Sequence, residues 1–198
     1  IGTDLSITQI AKFTGAKSIV VNEDDAEAVP LFSKTAYPLA THLLMPEGCS
    51  AGRFEAKTIR YKGYHELAYL HPNHFTGDAR VIEKAGLSKK GYIVMRFSAL
   101  NAHHDTGVQG IDDAFALNII HSIGDKYQVI ITSERPLSAS LEPYRMKFHP
   151  KEMHHVLAFA KAFIGDSQTM AAEAMLLGTP SIRCNSFVGR LAYLEELE

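Results

Sequence analysis

The sequence predicts an α/β protein in which parallel sheets carry helices on both faces, divided into two units. Three observations carry this reading. Short β-branched or apolar runs alternate repeatedly with helical patterns, the signature of strand–helix–strand crossovers. Runs such as Val129-Ile130-Ile131 are apolar at successive positions, as in strands buried on both faces. The alternation pauses between about Arg53 and Lys90, where Gly, His, Tyr and Pro are frequent (Tyr61-Lys62-Gly63-Tyr64-His65 through Leu70-His71-Pro72). We read residues 1–61 as the C-terminal half of a first unit, 62–89 as a connection, and 90–198 as most of a second unit. The pattern opens partway into one unit and stops inside another, so the expectation is a piece of a longer protein with the first unit incomplete.

The elements follow in order. Asp4–Thr14 places Leu5, Ile7, Ile10, Ala11 and Phe13 at helical spacing, with Gly15 as its stop. Strands are expected at Lys17–Asn22, Thr41–Met45 and Thr58–Tyr61, with a helix at Asp25–Phe32. Asp78–Ala85 reads as a helix before the strand Tyr92–Phe97. Then come helix Asp112–Ile123, strand Gln128–Thr132, strand Arg145–Phe148 and helix Lys151–Lys161. Strand Ala162–Gly165, helix Gln168–Leu177, strand Ser181–Cys184 and helix Gly189–Leu197 complete the set.

Composition narrows the function classes. Of 198 residues, 46% are hydrophobic and 21% charged, the balance of a folded globular chain. A formal charge of -2 gives no basic footprint, so nucleic acid is not the expected partner. No apolar run approaches the ~20 residues of a membrane helix. Cys49 and Cys184 are read as free thiols of a reducing cytosol, which makes the expected location cytoplasmic. An exposed edge on the incomplete first sheet would invite pairing into a homodimer.

Chemistry is sought where strands run into helices. The most informative segment is Phe163-Ile164-Gly165-Asp166-Ser167-Gln168-Thr169-Met170, followed by Glu173 and by Leu177-Gly178-Thr179-Pro180. A strand ends at Gly165, Asp166 and Ser167 are N-cap residues, and a helix of small residues starts at once. Its free amides suit an anion such as a diphosphate. Glu173, six residues after Ser167, would accept from a ribose diol; the plainer reading is a capped helix with Glu173 in solvent.

This segment resembles the nucleotide-binding helix of glycosyltransferase-B-fold proteins, in particular the non-hydrolysing UDP-N-acetylglucosamine 2-epimerases, in which a Ser and a Glu six residues on hold UDP. Gln168 and Thr169 stand where those enzymes carry two glycines. The whole chain resembles the DUF354 family more closely, through Tyr61–Pro72, Met95-Arg96-Phe97, Ala102-His103-His104-Asp105-Thr106-Gly107, Ile131-Thr132-Ser133-Glu134 and Gly165–Met170. The resemblance implies two Rossmann-like domains of glycosyltransferase-B type. Gly2-Thr3-Asp4 and Val20-Val21-Asn22-Glu23-Asp24 resemble the region where the epimerases carry acidic residues at two successive strand ends, which implies Asp4 and Glu23 or Asp24 as candidate catalytic acid and base. The plainer reading makes Asp4 an N-cap and Glu23-Asp24-Asp25 a solvated helix start.

Other candidate nucleotide contacts are Arg96, Ser133, Glu134, Arg135 and His149, with Asp166, Ser167, Gln168, Thr169, Met170 and Glu173. An arginine can clamp a phosphate with two hydrogen bonds, and the alternative for Arg96 is an ion pair between strands. Lys62 is a further candidate phosphate contact, and His103 and His104 are candidate hydrogen-bonding groups. Ten histidines raise a metal question, but His65-Glu66 is followed by Tyr69 where a zinc motif needs its second His, and adjacent His pairs point apart. No metal and no separate cofactor is therefore expected. Gly-x-Ser-x-Gly, Gly-x-Gly-x-x-Gly and P-loop strings are absent from the sequence. The expected function is a metal-independent glycosyltransferase using a UDP-sugar bound in an interdomain cleft, with an unidentified glycan or small-molecule acceptor. The alternatives are a UDP-sugar epimerase-like enzyme, a non-catalytic nucleotide-sugar-binding module, and a hydrolase using the carboxylates without a nucleotide.

Overall fold

The structure, a computed structural model, describes residues 1–99, 110–146, 148–185, 188–189 and 191–197. The chain is α/β and forms two compact units: residues 1–67 with 189–196, and residues 68–188 with 197–198. Among the described residues no helix is long and apolar enough to cross a membrane.

The first unit holds a parallel sheet of β1 (Ile19–Val21), β2 (His42–Pro46) and β3 (Thr58–Tyr61), in that spatial order. Register pairs Val20 with Leu43, and Leu43 with Thr58. Gly2 adds one parallel bridge to Val20, so the chain enters along the free edge of β1. Helix α1 (Leu5–Thr14) then crosses back to β1. Asp4 caps α1 by accepting the Ser6 amide at 2.8 Å, and Gly15 ends it at a φ of 71°, which a side chain would strain. Val20, Leu43 and Met45 are fully buried, and Ala11, Tyr37 and Ala40 join them in the core.

The expected helix at Asp25–Phe32 is displaced. Helix α2 runs Pro30–Thr35, with proline at its first position. Asp25 cannot start a helix there because its carboxylate is used elsewhere. It accepts the Ser50 amide at 2.5 Å and the Ala192 amide at 2.8 Å. Ala192 opens α8 (Ala192–Leu197), the returning segment of this unit. The short helix α3 (Leu67–Leu70) spans the boundary between the units.

The second unit holds a parallel sheet of β4 (Tyr92–Phe97), β5 (Gln128–Ser133), β6 (Ala162–Gly165) and β7 (Ser181–Arg183), in spatial order β5-β4-β6-β7. Its helices are α4 (Ala79–Lys84), α5 (Asp113–Ile123), α6 (Met153–Phe159) and α7 (Gln168–Leu176). Alternate strand residues face opposite layers. Tyr92, Val94 and Phe163 pack with Ile82, Val156, Leu157, Ala171 and Ala174, so α4, α6 and α7 cover one face. Ile93, Met95, Phe97, Ile131 and Ile164 pack with Ile111, Ala116, Ile120 and Leu141, so α5 covers the other. Burial on both faces is what the continuous apolar strands require.

The expected strand Arg145–Phe148 is not formed over its described residues. Arg145 makes a single bridge to Ile131, and the Met146 amide donates to the Ile131 carbonyl at 2.7 Å. A 3₁₀ turn at Glu142–Tyr144 precedes it, and a capping box on His149 and Glu152 follows. Among the described residues between them one bridge forms and no ladder.

Candidate functional site

The second sheet reverses its order between β4 and β6. The chain steps from β4 outward to β5, then crosses to the other side of β4 for β6 and β7. In open parallel sheets the crevice for ligands lies outside the carboxyl ends of the two strands at such a switch point. Here those ends are Arg96-Phe97-Ser98 and Gly165-Asp166-Ser167.

Arg96 and Gly165 are register partners. The strands approach closely: a Cβ on Gly165 would lie 2.5 Å from the Phe163 ring and 3.0 Å from the Arg96 Cβ. Glycine is required there for that reason. Arg96 is largely buried, its side chain 14% exposed. It donates from Nη1 to the Thr132 hydroxyl at 2.9 Å and from Nη2 to Glu134, and its buried Nε has no partner. The ion pair between adjacent strands therefore forms, and together with Thr132 it engages both terminal nitrogens and leaves Nε. Glu134 also accepts the Ala99 amide at 3.0 Å.

Asp166 is a clamp. Its side chain is fully buried, accepts the Ser98 amide at 2.6 Å and the Ile111 amide at 3.2 Å, and lies 4.0 Å from the Arg135 guanidinium. Arg135 stacks over the Phe97 ring at 5.0 Å and donates to the Ile111 carbonyl. Asp166 and Arg135 thus tie the segment after β4 to the segment entering α5. Ser133 is engaged locally, donating to the Arg135 carbonyl and accepting the Arg135 amide.

Ser167 caps α7, its Oγ accepting the Met170 amide at 3.4 Å. Gln168 presents a buried Oε1 with no partner, Thr169 is exposed, and Met170 packs on the core. Glu173 follows Thr169 and Met170 by four and three residues along the helix and so does not share the face of Ser167. Six residues turn a helix about 240° beyond a full turn and advance it about 9 Å. Glu173 is buried against α6 instead. Its Oε1 accepts the Tyr69 hydroxyl at 2.9 Å and pairs with His154 Nε2 at 3.0 Å. The His154 ring stacks on Tyr69 (centroids 5.4 Å apart) and meets the Phe75 ring edge to face at 6.0 Å. Neither Tyr69 nor His154 was a candidate from sequence. Their distance from Glu173 in the chain hides the cluster.

His149 stands apart from this group. It caps the 3₁₀ turn Pro150–Glu152, accepting the Lys151 amide on Nδ1 at 3.2 Å. His103 and His104, with the string 102–107, lie outside the described residues.

The first-unit candidates sit at the carboxyl end of its sheet. The Gly2–Val20 register puts Asp4 and Glu23 at the same end. Asp4 is exposed, and its Ser6 hydrogen bonds, hydroxyl first, hold its carboxyl below the ordinary range. Glu23 is largely buried. It accepts the His65 backbone amide at 3.1 Å and lies 3.3 Å from His65 Nδ1. That bond raises the His65 pKa above its ordinary value, against the opposing effect of burial. The Asp24 carbonyl accepts from Asn22 Nδ2 at 3.0 Å. Among the described residues no group of three or more His, Cys, Asp or Glu side chains is placed to hold a metal ion.

Comparison with known proteins adds one assignment. No curated protein matches the chain at a significant level. Residues 9–191 match the family model described as "Protein of unknown function (DUF354)", nearly the whole chain. With that coverage, and with the strand ends above falling inside it, the chain belongs to the DUF354 family.

Proposed function

We propose that the second unit binds the diphosphate of a nucleotide sugar, UDP-linked, and that the protein is a glycosyltransferase of the B-type fold. One observation carries the reading. A buried arginine with a partnerless Nε and the amino end of a nine-residue helix meet at the carboxyl ends of the two strands where the sheet order reverses. The Arg96 Nε–H and the first-turn amides of the helix are donors at that end of the sheet, which suits an anion, while Glu134 holds the rest of the guanidinium. The buried, partnerless Gln168 Oε1 beside them is an acceptor without a donor, and a bound ligand would supply one.

In this reading the Ser167 hydroxyl and the first-turn amides of α7 take the diphosphate, with Arg96 on a phosphate oxygen. Glu173, held by Tyr69 and His154, takes the ribose diol. Asp166 and Arg135 shape the strand end and stay off the ligand. In transfer, an acceptor hydroxyl oxygen bonds to the anomeric carbon and its proton passes to a base, while the bond between that carbon and the diphosphate oxygen breaks and its electron pair leaves with UDP. The guanidinium and the helix dipole stabilise the charge that develops there.

The test is a thermal-shift and calorimetric panel of UDP, UMP, ADP and UDP-N-acetylglucosamine on the protein beside Arg96→Ala, Ser167→Ala and Glu173→Ala. Ligand at a hundredfold excess over Kd stabilises by ~2.7 kcal/mol. A uridine-selective shift lost in Arg96→Ala and Ser167→Ala is the expected result. Equal responses to every nucleotide, or none, would falsify the assignment.

A further inference from the structure

In the first unit the His65 Nε2 and the Tyr61 hydroxyl are buried and have no hydrogen-bond partner. They belong to rings stacked nearly parallel, with centroids 6.1 Å apart and planes 11° apart. Tyr61 ends β3 and His65 follows four residues later, so both lie past the carboxyl end of a parallel sheet, the end that takes ligands. The His65 ring is fixed. Glu23, two residues beyond β1, accepts its backbone amide on one carboxylate oxygen and faces Nδ1 with the other. A carboxylate on Nδ1 places a proton there and turns Nε2 to whatever else is bound. Buried polar atoms are nearly always satisfied, so two orphans on neighbouring rings ask for a partner from outside the chain.

We propose that Tyr61, His65 and Glu23 form a binding site for a vicinal diol of a sugar or polyol. One hydroxyl meets Nε2. It donates to the neutral ring or accepts from the charged one, so it satisfies His65 in either state. The adjacent hydroxyl accepts from Tyr61. Burial, with Glu23 and Glu66 nearby, pushes the Tyr61 phenol up, which keeps it a donor. The same surroundings disfavour an anionic ligand, because Glu23, Glu66 and Asp24 all act on the His65 ring. Glu23 is a positioning residue, since it acts through the ring it orients. The site lies in the first unit and stands independently of the nucleotide reading of the second.

The test is long-range proton–nitrogen NMR of the His65 ring in the full chain, assigned with His65→Gln. D-Ribose and myo-inositol are titrated, with 1,3-propanediol as the control that lacks adjacent hydroxyls. The expected result is a saturable shift of the Nε2 resonance with at least one of the two vicinal polyols and none with the control. Tyr61→Phe, which keeps the ring, should weaken that binding by about five- to tenfold, the worth of one hydrogen bond. UDP binding should be unchanged in Tyr61→Phe, so failure of one site is distinguishable from failure of the other. The proposal is overturned if both polyols leave Nε2 unmoved, which would mean the orphan atoms hold water alone. It is equally overturned if the control shifts Nε2 as far, or if Tyr61→Phe binds as the wild type does.

Discussion

Replacing Asp166 by alanine should destabilise the second unit far more than a loop substitution does. The carboxylate is fully buried and accepts two backbone amides, Ser98 at 2.6 Å and Ile111 at 3.2 Å, with the Arg135 guanidinium 4.0 Å away. Alanine leaves both amides without their acceptor in a dry site. A hydrogen bond to a charged group contributes ~1.5–3 kcal/mol, and an unsatisfied buried donor costs ~1–3 kcal/mol. Taking the lower half of the range for the longer bond gives a loss of about 3–5 kcal/mol. At ~2–4 °C per kcal/mol for a chain of this size, that is a fall in Tm of roughly 6–20 °C. Asp166→Asn keeps one acceptor and turns an NH₂ toward the other amide, so it should lose about half as much. Urea unfolding followed by a probe in the second unit measures the loss. Hydrogen exchange localises it, since the Ser98 and Ile111 amides should lose protection before their neighbours. Wild-type stability in Asp166→Ala with loss of UDP binding would refute the clamp and make Asp166 a ligand contact.

Other outcomes follow from single contacts. Gly165→Ala should cost about 1–3 kcal/mol by overpacking, read by urea unfolding, because its Cβ would enter the Phe163 ring and press on Arg96. Glu23→Gln should remove a pH dependence of stability. The His65 pKa is raised in the fold by Glu23, with Glu66 and Asp24 acting in the same direction, so its contribution is complete below about 6.5, the unfolded value, and is lost as pH rises through the folded value. Stability measured across that window should fall with pH in the wild type and stay flatter in Glu23→Gln. Cys49 should resist a thiol reagent in the native protein, since burial pushes its thiol up to about 12; rapid native labelling at Cys49 would contradict its placement. Glu173→Ala should release His154 and Tyr69, seen as a loss of the His154 ring's restricted environment by NMR, and weaken UDP binding.

Much of the fold was legible because the local signals agreed. Tyr92–Phe97, Thr58–Tyr61 and Ala162–Gly165 are strands over the expected residues, since β-branched and aromatic runs bounded by turn residues leave few alternatives. The N-caps Asp4 and Ser167 were readable because a short side-chain acceptor stands just before each helical pattern. Asp25 misled because a short acidic run looks like a helix start, whereas its carboxylate serves amides 25 and 167 residues away. The Ser167 cap was visible in sequence. The Glu173 partners were not, since Tyr69 lies 104 residues from Glu173 along the chain. Spacing along a helix locates a residue's face, but not what the fold brings to it.

The bond from Ala192 to Asp25 also sets an order of events. The first unit draws on residues 189–196, so its sequence is interrupted by residues 68–188 of the second. A ribosome delivers the sheet of the first unit early and the segment that closes it late. During synthesis the second unit can therefore mature while the first still waits with one Asp25 oxygen unused. Domains generally fold as units in the order they emerge; here residues 189–196 of the first unit emerge after residues 68–188 of the second, and a nascent chain halted near residue 188 should show a largely native second unit beside an unlocked first.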